Sequence, residues 1–160
     1  MSLSTTVATA TINLTSTTCN GIFTCQVGDT GPGGGTVFYV ATSPFACGPT
    51  RSATCTYLEA APTSGTNAWT DATYAWSGNT TVRIGATAEG TAIGTGYANT
   101  LAIVGQASGG NTANRAATNA RAYRGPNNLS DWFLPSQDEL NQMCKWSRGI
   151  TGVDLITLTT

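Results

Sequence analysis

Five cysteines, at positions 19, 25, 47, 55 and 144, and a complete absence of histidine define the chemistry open to this chain. Without imidazole, neither a Ser-His-Asp nor a Cys-His nucleophilic site can be assembled, and HExxH zinc sites and histidine pH switches are excluded as well. Glu59, Glu89 and Glu139 lie far apart in sequence, flanked by nothing that suggests a paired acid and base, and Lys145 is the only lysine. General acid–base catalysis needs such groups paired with their pKa values held apart. The residues therefore argue against an enzyme, and no cofactor or metal is expected.

The cysteines fall into two close pairs, Cys19/Cys25 and Cys47/Cys55, each embedded in Gly, Pro, Ser and Thr. Such spacing reads as small disulfide-closed loops in an oxidising compartment, with free or separately buried thiols as the alternative, because spacing alone does not fix connectivity. A zinc site would need an all-cysteine set at intervals that are not CxxC. Cys144 is left over.

The groups suited to binding are few. Trp69, Tyr74 and Trp76 sit in a long segment of Gly, Thr, Asn and Ser, where aromatic rings either stack on sugars or a protein partner, or plug the core beneath a loop. Arg121, Arg124, Lys145 and Arg148 make the nearest approach to a basic cluster. Asn127, Asn128 and Asp131 offer oxygen ligands for calcium, but turn formation accounts for them.

The whole chain frames these residues. It has 160 residues, 40% hydrophobic and only 9% charged, with a formal net charge of -1. That is one domain's worth of material. The balance excludes a nucleic-acid binder that works by phosphate neutralisation, and no apolar run is long enough to span a membrane. In place of charge stand 19 glycines and a large excess of threonine, β-branched and turn-forming. The start, Met1 to Thr6, carries neither a basic n-region nor an apolar h-region, so no secretory leader is read there.

The elements that must position the candidates follow from periodicity. Residues 5–15 alternate with Ala8, Ala10, Ile12 and Leu14 on one side, a half-buried strand. A glycine-rich turn, Gly28 to Gly35, feeds a strand Thr36–Val40, and Thr56–Ala61 reads as another, ended by Pro62. Residues 63–98 show no sustained period; a loop of that length is functional or internally packed. Asn99 or Thr100 is expected to cap a helix through Leu101, Ile103 and Val104. Thr112 is expected to cap a second from Ala113 to Arg124, with Ala116, Ala117, Ala120 and Tyr123 on one face. Ser136 and Glu139 form a capping box that opens a helix from Leu140 to Trp146, with Leu140, Met143 and Cys144 on its buried face. Residues 153–158 offer a last short strand.

Four ordered stretches, Gly28 to Val40, Leu58-Glu59-Ala60-Ala61-Pro62, Ile93 to Thr100 and Ser130 to Leu140, resemble the family named after the C-terminal domain of the Legionella collagen-like adhesin. The resemblance spans about residues 27–148. The segment Trp132 to Glu139 is also similar to the helix-opening motif of the formylglycine-generating-enzyme branch of C-type-lectin-like folds. The resemblance implies an α+β, C-type-lectin-like single domain with a short-stranded antiparallel sheet, two or three short helices and long loops. On that reading residues 1–26 form an N-terminal strand or arm with a small disulfide loop, and residues 27–160 the adhesin-like domain, without the last strands of the family.

The expected function is non-catalytic binding or adhesion at a cell or virion surface, toward glycans or a host-surface receptor. The alternative is a structural or decorating subunit of a virion or extracellular filament. The resemblance implies sulfated glycosaminoglycans and a homo-oligomer, a trimer; the residues themselves, poor in clustered Arg and Lys, fit neutral sugars stacked on Trp69, Tyr74 or Trp76 better.

Overall fold

The glycine-rich turn leads into a hairpin, and the hairpin is irregular for a reason legible in its register. The computed structural model describes Cys19 and residues 24–107 and 109–149; the alternating segment 5–15 and the segment 153–158 lie outside the described residues. Strand β1, Thr36–Cys47, pairs antiparallel with β2, Ala53–Ala60. The pairing slips between Val37 and Tyr39, so the consecutive residues Val37 and Phe38 are both buried. It slips again between Val40 and Phe45, where Thr42, Ser43 and Pro44 stand exposed opposite a shorter stretch of β2. Proline has no N–H to give to a ladder, and a bulge is where a strand tolerates one.

Among the described residues three helices follow, α1 (Gly96–Val104), α2 (Ala116–Ala122) and α3 (Gln137–Ser147), with one 3-10 turn at Ala86–Ala88. The protein is a small α+β fold: a two-stranded antiparallel sheet with α3 packed on β1 and α1 packed on α2.

Both expected disulfides are present. Cys47–Cys55 staples the turn end of the hairpin, beside the pair Cys47↔Ala53. Cys19–Cys25 is buried with Val37 in a small core, against which Val40 and Tyr57 pack. Cys144 is exposed and unbridged.

The helix starts depart from expectation because tertiary partners take the residues that would have capped them. Asn99 turns its side chain back to Gly90, accepting from its amide at 3.1 Å and donating to its carbonyl at 2.6 Å. Thr100, fully buried, donates to the Gly96 carbonyl and accepts from the Leu134 amide. Both therefore lie inside α1, which begins at Gly96. Helix α2 begins at Ala116 because the carbonyls of Ala75 and Trp76 accept from the Ala116 and Ala117 amides. The long loop thus satisfies N–H groups that a helix start leaves open. Ala117 and Ala120 are buried, as the small-residue face predicts.

In α3 the expected inner face is corrected. Ser136 and Glu139 do form the capping box, but Leu140 is 50% exposed and Cys144 is exposed, with Met143 half-buried. The buried Glu139 and Lys145 flank the inner face from either side, and positions 140 and 144 fall on the opposite face, toward solvent.

Candidate functional site

Glu59 sits near the end of β2, and the glycine-rich turn folds around its carboxylate. The amides of Gly33 and Gly35 both donate to Oε2 at 3.1 Å, and Gly33 reaches Oε1 at 3.2 Å. The three small residues are required by close approach. A Cβ on Gly31 would overlap the Glu59 side chain, and one on Gly33 would lie 2.9 Å from both Glu59 Oε2 and Trp132 Cζ2. A Cβ on Gly35 would strike the Ala60 carbonyl and lie 3.0 Å from Trp132 Cη2. Successive N–H groups converging on one anion form a nest, and the occupant here is the protein's own carboxylate.

Trp132 lies on those glycines and is the middle of the site. Its indole packs on Gly33, Gly35 and Gly125, and its buried N–H has no acceptor. Tyr123 stands edge-on to it at 5.2 Å between centroids, and Trp69 stands edge-on to Tyr123 at 5.3 Å. Arg121 locks the segment from behind, donating to the Trp132 carbonyl at 2.6 Å and the Tyr97 hydroxyl at 2.8 Å, with its guanidinium over the Tyr97 ring.

Between β2, this aromatic row and the segment Leu129 to Pro135 lies a cleft of about 410 Å3. It is bordered by every residue of Thr54–Ala61, by Trp69, Tyr123, Trp132 and Phe133, and by the carboxylate-bearing Glu59 and Asp131. The cleft is mostly apolar. Its acidic groups feel one another: burial raises the Glu59 carboxyl above its ordinary value against the pull of the Gly33 and Gly35 amides, and the charge of Asp131 adds to the rise. Burial likewise raises the Tyr57 phenol, with Glu59 and Asp131 contributing.

The structure separates the residues that sequence reasoning grouped. Of the three aromatic candidates, Trp69 alone borders the cleft; Tyr74 is half-buried elsewhere, and Trp76 is 37% exposed away from it. The four cations do not converge. Arg121 is engaged as described, Arg124 donates to the carbonyls of Arg121 and Tyr123, Lys145 is buried, and Arg148 is exposed beyond α3. Tyr57, Tyr123 and Trp132 went unnoticed as site residues, while Glu59 was weighed only as a catalytic acid or base and Asp131 only as a calcium ligand. A glycine run ahead of one strand and a lone carboxylate near the end of the next were the signal available for Glu59.

Among the described residues, no three His, Cys, Asp or Glu side chains come together as metal ligands, and no helix is long and apolar enough to cross a membrane. Comparisons with protein-family models, with curated proteins and with solved structures found no match to this chain.

Proposed function

We propose that this protein is a non-catalytic, surface-exposed binding domain of C-type-lectin-like architecture that recognises glycans through the cleft beside β2. One observation carries the reading: an open cleft walled by Trp69, Tyr123 and Trp132, with the carboxylates of Glu59 and Asp131 at hand. Sugar rings present apolar C–H faces that pack on aromatic rings and hydroxyls that donate to carboxylates, so such a wall suits them. The four stretches that resemble the adhesin family meet around this region. Gly33 and Gly35 hold Glu59, Trp132 covers the glycines, and Glu139 accepts from the amides of Gly94 and Ser136. Two disulfides are compatible with an extracellular destination.

A glycan array on the intact protein, followed by titration of tryptophan fluorescence, tests this. The expected result is quenching or a blue shift by the hits, abolished in Trp69→Ala. An array without signal, together with unchanged fluorescence, overturns it.

A second reading, a subunit of a virion or extracellular filament, is favoured by one feature: among the described residues β2 has no strand on its outer side. Unpaired edges invite strand addition from another copy. Sedimentation at micromolar concentration separates the readings, since a purely monomeric protein supports the binding domain alone.

A further inference from the structure

The charge of the cleft goes further than its aromatic wall. Every ionisable group that borders it, Tyr57, Glu59, Tyr123, Asp131 and Glu139, is an acid, and no Arg or Lys is among its lining residues. Arg121 and Arg124 bond to cleft residues at backbone carbonyls: Arg121 turns its guanidinium to the Trp132 carbonyl and the Tyr97 ring, and Arg124 donates to the carbonyls of Tyr123 and Arg121. Besides burial, the charge of Asp131 raises the pKa of Glu59, and Glu59 and Asp131 add to the burial-driven rise of Tyr57, so their negative potentials overlap inside a cleft whose lining holds no Arg or Lys. A cation entering such a volume gains from both carboxylates and from the faces of tryptophan and tyrosine rings. A sulfate or uronate entering it meets like charge in a weakly screened setting.

We infer that the cleft selects sugars bearing a free ammonium group, such as 2-amino-2-deoxyhexose units, over their N-acetylated, neutral or sulfated counterparts. This rests on the glycan reading above and specifies its ligand class. An ammonium on a sugar ring brings three N–H donors, the chemistry that Glu59 and Asp131 accept, while the ring face meets the aromatic wall. The preference is opposite in charge to the sulfated glycosaminoglycans that the sequence resemblance implies.

The test is calorimetric titration of the intact protein at pH 6 with four hexasaccharides: β-1,4-linked glucosamine, its fully N-acetylated form, cellohexaose and a sulfated chondroitin fragment. The glucosamine hexamer should bind about tenfold or more tighter than the N-acetylated form, which corresponds to one well-placed charge contact. The advantage should shrink several-fold in Asp131→Asn and in 0.5 M salt. Asp131 is exposed, so this variant leaves the interior untouched; a melting curve matching the parent protein confirms it is folded. Equal or tighter binding of the N-acetylated, neutral or sulfated hexamer overturns the ammonium preference and leaves the glycan reading standing. Binding of none of the four, with no array signal, overturns both. An advantage of the glucosamine hexamer that persists unchanged in Asp131→Asn and in high salt also overturns the proposal, because the selectivity then does not come from the cleft charges.

Discussion

The amide of Gly35 donates to Oε2 of Glu59 at 3.1 Å across the turn that opens β1. This bond ties a glycine run to a carboxylate 24 residues away, and it explains why side chains are missing where they are. The backbone of Gly35 also faces the Ala60 carbonyl, which cannot move without breaking β2. Gly35→Ala should therefore destabilise by overpacking, about 1–3 kcal/mol. For a chain of this length that lowers the melting temperature by roughly 3–10 °C. Gly65→Ala, at a position with open space around its Cβ but a positive φ of 90°, should cost only the left-handed strain, about 1 kcal/mol. A calorimetric scan of the two variants orders them; equal melting points would remove the steric role assigned to Gly35.

Glu59 also predicts a pH dependence. Burial raises its folded carboxyl above the ordinary glutamate value, Asp131 adds to the rise, and the Gly33 and Gly35 amides only partly offset it. In the window between the unfolded and folded values the native state holds the proton more tightly than the unfolded chain. Stability from this group is thus fully present below the unfolded pKa and declines as pH rises through the folded one. Glu59→Gln, which can keep an acceptor at the Oε2 position, should flatten the decline just above the usual glutamate range. Urea midpoints measured at half-unit pH steps reveal it. A parent curve that rises monotonically through that window, unchanged in the variant, contradicts the assignment.

Glu139 accepts from Ser136 at 2.7 Å, closing the capping box, and from Gly94 at 2.8 Å, pinning the loop before α1 to the start of α3. Ser136→Ala removes the cap hydroxyl and should cost about 1 kcal/mol. Glu139→Ala strands two buried amides and leaves a void where a fully buried side chain was, so about 3 kcal/mol or more is expected. Denaturant unfolding reads both values. A Glu139→Ala cost no larger than that of Ser136→Ala would reduce Glu139 to an ordinary helix cap.

The parts of the fold governed by local chemistry were open to sequence reading. Ser136 and Glu139 act within one turn, Val37 to Val40 form a β-branched and aromatic run, and the cysteine pairs close short loops. What escaped depends on distance. Leu140 reads as a core residue by type, yet Glu139 took the inner position through a partner 45 residues away. Thr112 reads as a cap, yet the loop carbonyls of Ala75 and Trp76 fix the start of α2. The cleft escaped for the same reason: its aromatic row draws one residue each from the long loop, the end of α2 and the segment before α3, and no periodicity links them.

That row also explains how the long loop is held. Tyr123 lies between Trp69 and Trp132, and its hydroxyl donates to the Asn67 carbonyl at 2.7 Å. One side chain thus fixes both the backbone and the leading aromatic of the loop. Tyr123→Phe removes a single hydrogen bond while keeping both ring contacts, and should cost about 1 kcal/mol with little change in near-ultraviolet circular dichroism. Tyr123→Ala removes both contacts, about 3 kcal/mol or more by loss of a packed aromatic, and takes from Trp69 the ring it stands against. The tryptophan dichroism should then weaken, and limited proteolysis should cut first within residues 63–69. First cleavage elsewhere, with the dichroism intact, would mean that the loop is held at Ala75 and Trp76 by α2 and that Tyr123 contributes only local packing.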